Sequence, residues 1–161
     1  MSPMTTHPEA EIIVDKDVPL VRIIREFDAP AAKVYQAHVD PKLFMQWNGP
    51  DYLTTTPLVW DARTGGSYRY TMTGGDTDTA FNGVFHELRE NQLIVQTFSW
   101  EGMPDGVALE KAVFEDLPGG RSRLTSTSLV DSFEGRDGFV ASGMEVGVIE
   151  GYNKLDDVLA A

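Results

Sequence analysis

The chain has 161 residues, no cysteine, and 25 acidic against 13 basic side chains, for a formal charge of −12. That length suits one domain with a real core and leaves no room for two, and without cysteine there is no disulfide framework, thiolate metal site or cysteine nucleophile. The negative field repels phosphate, so nucleic acid and anionic membranes are set aside as partners; a well-solvated surface accounts for the acidity equally well.

The start, MSPMTTHPEAEI, lacks the basic and apolar segments of a leader peptide, and no window approaches the ~18 apolar residues of a membrane span. A soluble cytoplasmic protein is expected. Residues 1–19 read as a flexible tail or a short extra strand at Ile12 to Val14, and 20–161 as the folded domain. LVRIIREFDAP sets Val21, Ile23 and Arg25 against Arg22, Ile24 and Glu26, a strand ended by Asp-Ala-Pro. Asp28 is expected to cap the helix PAAKVYQAHV, which has proline in its first turn and Val34, Tyr35 and His38 on one face. A second short helix, PKLFMQW, carries Leu43, Phe44 and Trp47 at spacings of three and four and stops at Asn48-Gly49-Pro50.

From Tyr52 the period becomes two, through LTTTPLVWDA, SYRYTMT, FNGVFHEL, LIVQTFSW, VALEKAVFEDL and RLTSTSLV. The intervening Thr64-Gly65-Gly66, Gly74-Gly75-Asp76, Glu90-Asn91, Pro104-Asp105-Gly106 and Pro118-Gly119-Gly120 are turn chemistry for an antiparallel meander. Past Asp131 the spacing lengthens again: Val140, Met144, Val148, Tyr152, Leu155 and Leu159 recur every three to four residues, predicting one long amphipathic helix. This order predicts an α+β fold, with an antiparallel sheet covered on one face by the last helix.

Four stretches in this order, FDAPAAKVYQAHVDP, WNGPDYLT, DARTGGSYRYTM and GMEVGVIEGYNKLDDVL, resemble the START-like helix-grip domains. The particular likeness is to the family named for the activator of the 90-kDa heat-shock protein's ATPase, and it spans roughly Leu20 to Ala160. The resemblance implies a curved antiparallel sheet wrapped around a long C-terminal helix, two short helices after the first strand, and a cavity between sheet and helix. Related START-like domains carry lipids, hormones or polyketides, and a few catalyse cyclisation or hydration. The namesake binds a chaperone, so the fold alone does not select a function.

The candidate ligand-binding residues are His38, Trp47, Trp60, Tyr68, Tyr70, Met72, Phe85, Phe98, Trp100, Met144, Val148 and Tyr152. Period-two logic puts Tyr68, Tyr70 and Met72 on one face, likewise Leu58 with Trp60 and Gln96 with Phe98 and Trp100. Such stripes line either a small-molecule pocket or a filled core. Gly143, Gly147 and Gly151 form a ridge whose reason is close packing or ligand room. Trp47, ahead of three structure-breaking residues, is an anchor or a pocket wall. His38 is either a general acid/base at the pocket mouth or a core histidine held by a backbone carbonyl. His86 is placed outward beside an inward Phe85, and His7 falls in the tail.

The three histidines show no ligand spacing, so no metal or cofactor is expected. Ser99, Ser126 and Ser128 lack a nucleophile elbow. Asp61, Glu87, Glu110 and Glu115 are read as solvated, with an inward carboxylate of raised pKa as the alternative. Three functions follow: binding of a hydrophobic or aromatic small molecule without catalysis, a chaperone- or regulator-binding module, and a cyclase- or hydratase-like enzyme using His38. A monomer and a homodimer are both left open.

Overall fold

The computed structural model describes residues 9–161; His7 and the rest of the first eight residues lie outside the described part. The strands are β1 (Glu11–Val14), β2 (Leu20–Phe27), β3 (Thr54–Trp60), β4 (Ser67–Gly74), β5 (Thr77–Arg89), β6 (Leu93–Trp100), β7 (Val107–Leu117) and β8 (Arg121–Leu129). The helices are α1 (Ala31–Val39), α2 (Pro41–Trp47), α3 (Phe133–Ala141) and α4 (Met144–Ala160). All eight strands form one sheet, in the order β1-β2-β8-β7-β6-β5-β4-β3, with every neighbouring pair antiparallel. This is the helix-grip arrangement. β2 is interior, because β1 covers it, and the sheet edges are β1 and β3.

Alternation decides what faces the helices. On β7, Ala108 and Phe114 are buried and Ala112 packs on the core, whereas Val107, Leu109 and Val113 are exposed. On β4 the inner row is Tyr68, Tyr70 and Met72, all buried. The pattern slips once on β3, where a register shift between Pro57 and Val59 turns Leu58 out to 53% exposure and leaves Trp60 inward. Leu58 and Trp60 therefore do not share a face as strict alternation predicts.

Asp28 does not cap α1. Its carboxylate accepts from Arg121, and the N-cap of α1 is Pro30, without a side-chain cap. The first N–H of α1, at Ala31, instead donates to Asp116 of β7 at 2.9 Å, a helix cap supplied by a residue far along the chain. Asp40 caps α2 conventionally, accepting from the Lys42 N–H with Pro41 in the first turn.

The terminal helix is two helices. Gly143, at φ 88°, adopts the left-handed conformation that glycine reaches without a Cβ clash, and it separates α3 from α4. α4 lies along the sheet: Tyr152 meets Ser126 of β8, Asp156 pairs with Arg25 of β2 at 2.6 Å, and Leu155 and Leu159 sink into the core. No helix among the described residues is long and apolar enough to cross a membrane.

Candidate functional site

Trp47 ends α2 with its ring 6% exposed and its indole N–H donating to the Ala37 carbonyl at 2.9 Å. It stacks near Tyr152 of α4 at 6.0 Å between centroids and touches Phe44 and His38. Gly151 of α4 closes on the same junction; a Cβ there would stand 3.1 Å from the Trp47 carbonyl oxygen. At Gly147 a Cβ would meet Pro50 at 3.6 Å. Gly151 thus serves close packing of α4 on the Trp47 to Pro50 turn, whereas a Cβ at Gly147 would make only ordinary contact, and Trp47 is an anchor.

The other aromatic candidates form a continuous stack. Trp60 donates its N–H to the Val39 carbonyl and lies 4.8 Å from Phe44. Tyr68, Tyr70 and Phe85 are buried, with Tyr68 against Phe85 and Tyr70 against Phe81, which in turn stacks on Phe98 at 5.2 Å. Met72 is buried beside Gly49. Trp100 parts from expectation, and His38 takes the second of its two readings, a histidine held by a backbone carbonyl. Trp100 is 47% exposed at the rim, bonded to the Thr79 hydroxyl and in no ring stack among the described residues. His38 is not at a pocket mouth: its Nδ1 lies 2.7 Å from the Val34 carbonyl and its ring is wedged between Trp47 and Phe114. Burial lowers its pKa to about 4, which keeps the imidazole neutral at pH 7.

Among the strand carboxylates read as solvated, Glu110 takes the inward alternative and is the most unusual group on the inner face. Glu110 occupies the alternation row of Ala108, Ala112 and Phe114 and points into the grip. Ser128 hydrogen-bonds to it, and the Gln96 amide approaches at 3.4 Å. The same amide donates to the Tyr68 hydroxyl, which donates to the Thr97 carbonyl at 2.6 Å. Burial pushes the Glu110 carboxyl up to about 7, only partly offset by those two hydrogen bonds. The Glu110 charge in turn helps to raise the Tyr68, Tyr70 and Tyr152 hydroxyls, on which burial is the main cause. Met144 and Val148 continue the Tyr152 face of α4 toward its N-terminus, above this seam, and both keep partial access to solvent.

Two depressions open on the surface. One, of about 650 Å³, is lined by Glu9, Glu11, Ile24, Glu26, Glu115, Arg123 and Thr125; the other, of about 320 Å³, lies around Arg69, Trp100 and Glu101. Neither lies between sheet and α4, where the aromatic side chains pack on one another. No cluster of His, Cys, Asp or Glu able to hold a metal occurs among the described residues. His86 is exposed on the outer face, with Phe85 inside.

Known proteins share this architecture. The profile of the family described as "Activator of Hsp90 ATPase homolog 1-like protein" matches residues 28–160. Protein Ms6760 of Mycobacterium smegmatis superposes with a TM-score of 0.86 at 25% identity, covering 96% of this chain and 98% of its own. A protein of Arthrobacter aurescens gives 0.85 at 27% identity, with 93% and 91% covered. CV1439 of Chromobacterium violaceum, at 23% identity and a TM-score of 0.79 over 89% and 98%, shares the fold. No curated protein matches the chain.

Proposed function

The chain belongs to the activator of Hsp90 ATPase homolog 1-like family, and from that premise we propose that it binds a small, largely apolar molecule between the sheet and the first turns of α4. One observation carries the reading. Gln96, Glu110, Ser126 and Ser128 bring four polar side chains to the inner face, and they, with Phe81, Phe98, Met144 and Val148, all keep partial solvent access. A wall of stacked rings with a few convergent polar groups is the usual composition of a small-molecule site. Room for a ligand comes from displacing α3 and the start of α4. α3 buries only Arg136, and Val146 in the first turn of α4 is 51% exposed.

Native mass spectrometry of the protein purified from its own host, against the same sample denatured, tests the reading. A co-purifying mass supports it. The neutral probe 1-naphthylmethanol, titrated into the ¹⁵N-labelled chain, is expected to shift the amides of Gln96, Ser126, Ser128 and Val148. Shifts confined to the outer sheet face, with no co-purifying mass, overturn it.

A protein-interaction role is favoured by a different surface. Val84, Val107, Leu109, Val113 and Leu129 on the outer face are between 37% and 50% exposed. Titration with a purified 90-kDa heat-shock chaperone tests that role; absence of a complex at micromolar concentration argues against it.

A further inference from the structure

We infer that Glu110 is the recognition group of this site and that its ligand carries a compact basic nitrogen, a protonated amine, on an aromatic or apolar body. The inference rests on the binding reading above and names the ligand class. It starts from the mismatch between the carboxylate and its surroundings. Glu110 shares its inward row with Ala108 and Ala112 and faces Ser126 and Ser128 of β8. These four side chains are short and carry no charge, and Gln96 of β6 stands in register on the other side.

Its partners are all neutral. Ser128 and Gln96 supply hydrogen bonds, and no lysine or arginine among the described residues forms an ion pair with it. The inner-face cation, Arg25 of β2, is engaged by Asp156 of α4 at 2.6 Å and by the Glu26 carbonyl. The other titratable groups facing Glu110 are the Tyr68 and Tyr70 phenols of β4 and the Tyr152 phenol of α4. A carboxylate drawn out of water without a counter-charge is costly, and a ligand cation would supply the missing charge. Phe81 with Phe98, both partly open to solvent, offers a stacked wall for an aromatic body. An anionic ligand meets only repulsion here.

Three probes of one skeleton separate the inference from the reading beneath it: 1-naphthylmethylamine, 1-naphthylmethanol and 1-naphthoate, titrated into the full chain at pH 8 and followed by NMR and calorimetry. The amine is expected to bind about tenfold tighter than the alcohol, the size of one charge-assisted hydrogen bond, and the naphthoate weaker than both. Glu110→Gln should bring the amine down to the alcohol's affinity for the same variant, and Glu110→Asp should keep part of the preference. Amide spectra of both variants check the fold. Because burial raises the Glu110 carboxyl to about 7, amine binding should weaken below that pH while alcohol binding stays level. Equal affinity for amine and alcohol overturns the inference and leaves the binding reading standing. Failure of all three probes to bind overturns both.

Discussion

Where the last turns of α4 cross the sheet, Phe27, Leu124 and Leu155 are at most 1% exposed, and the buried cation Arg25 is matched to Asp156. Across the same β6, β7 and β8, beneath the first turns of α4, Gln96, Glu110, Ser126 and Ser128 replace that hydrocarbon and keep solvent contact. Both ends lie on β8 under the same helix, and they differ in the side chains turned inward. One end holds the fold together, and the other spends part of that stability on polar groups turned inward. Such a division is what a binding domain needs, because a site must desolvate on occupancy while the scaffold stays sealed.

The largest expected effect belongs to the joint between the two ends. Trp47→Ala removes a buried indole, its hydrogen bond to Ala37 and its contacts with His38, Phe44 and Tyr152. Urea denaturation should show a loss of ~3–5 kcal/mol, the range for large core aromatics. A loss under ~1 kcal/mol would class it with surface positions and return Trp47 to the pocket wall.

The two ends should also titrate in opposite directions. The folded pKa of His38 lies at about 4, below its ordinary 6.5, so its contribution is present above pH 6.5 and lost as pH falls toward 4. The folded pKa of Glu110 lies at about 7, above its ordinary 4.5, so its contribution is present below pH 4.5 and lost as pH rises toward 7. Each is worth up to ~3 kcal/mol, and between pH 4.5 and 6.5 the two slopes oppose each other. Glu110→Gln should therefore gain on the parent as pH rises from 4.5 to 8, exposing the histidine's acid loss. His38→Gln should expose the glutamate's loss instead. Urea midpoints from pH 4 to 8 decide it; an E110Q curve parallel to the parent's would mean that Glu110 is solvated.

The sealed end is legible in the sequence, and at the open end Phe98, Met144 and Val148 are legible too while the direction of Glu110 is not. Alternation and turn residues mark the meander, and Leu155 and Leu159 mark the buried stripe of α4, because apolar periodicity directly records burial. Glu110 reads either way for a physical reason. The outer row of β7, with Val107, Leu109 and Val113, is more apolar than the inner row of Ala108, Glu110 and Ala112, so hydrophobicity alone points the strand the wrong way. Only Phe114, in register with Leu124, marks the inner row. The break at Gly143 is hidden because the apolar spacing runs through it in phase, and the Asp116 cap on α1 depends on a contact across the fold that no local pattern encodes.

The α4 glycines test whether the helix is held more tightly at one end. Gly151 lies against backbone, so Gly151→Val should push α4 off the Trp47 turn and cost ~1–3 kcal/mol. Gly147 has ordinary contact distance to Pro50, so Gly147→Ala should raise stability by up to ~1 kcal/mol through helix propensity. If both changes destabilise alike, α4 is clamped along its whole length and the open end is not loosely covered.

The smallest effect separates the ends by sign. Ser122 faces inward at the sealed end, in register with Phe27, 1% exposed, and its hydroxyl has no hydrogen-bond partner among the described residues. Ser128 sits six residues further along the same strand, with its hydroxyl on Glu110. An unpartnered buried hydroxyl carries a desolvation cost that alanine relieves, so Ser122→Ala should be neutral or stabilising by ~0.5–1 kcal/mol. Ser128→Ala withdraws a donor from a buried carboxylate, so it should cost ~1 kcal/mol at pH 8, and less at pH 5, where the protonated carboxyl needs that donor less. The pH dependence matters most, since a packing loss at Ser128 would be the same at both pH values. Equal costs at pH 5 and 8 would therefore detach Ser128 from Glu110, and with it the polar seam that distinguishes one end of the grip from the other.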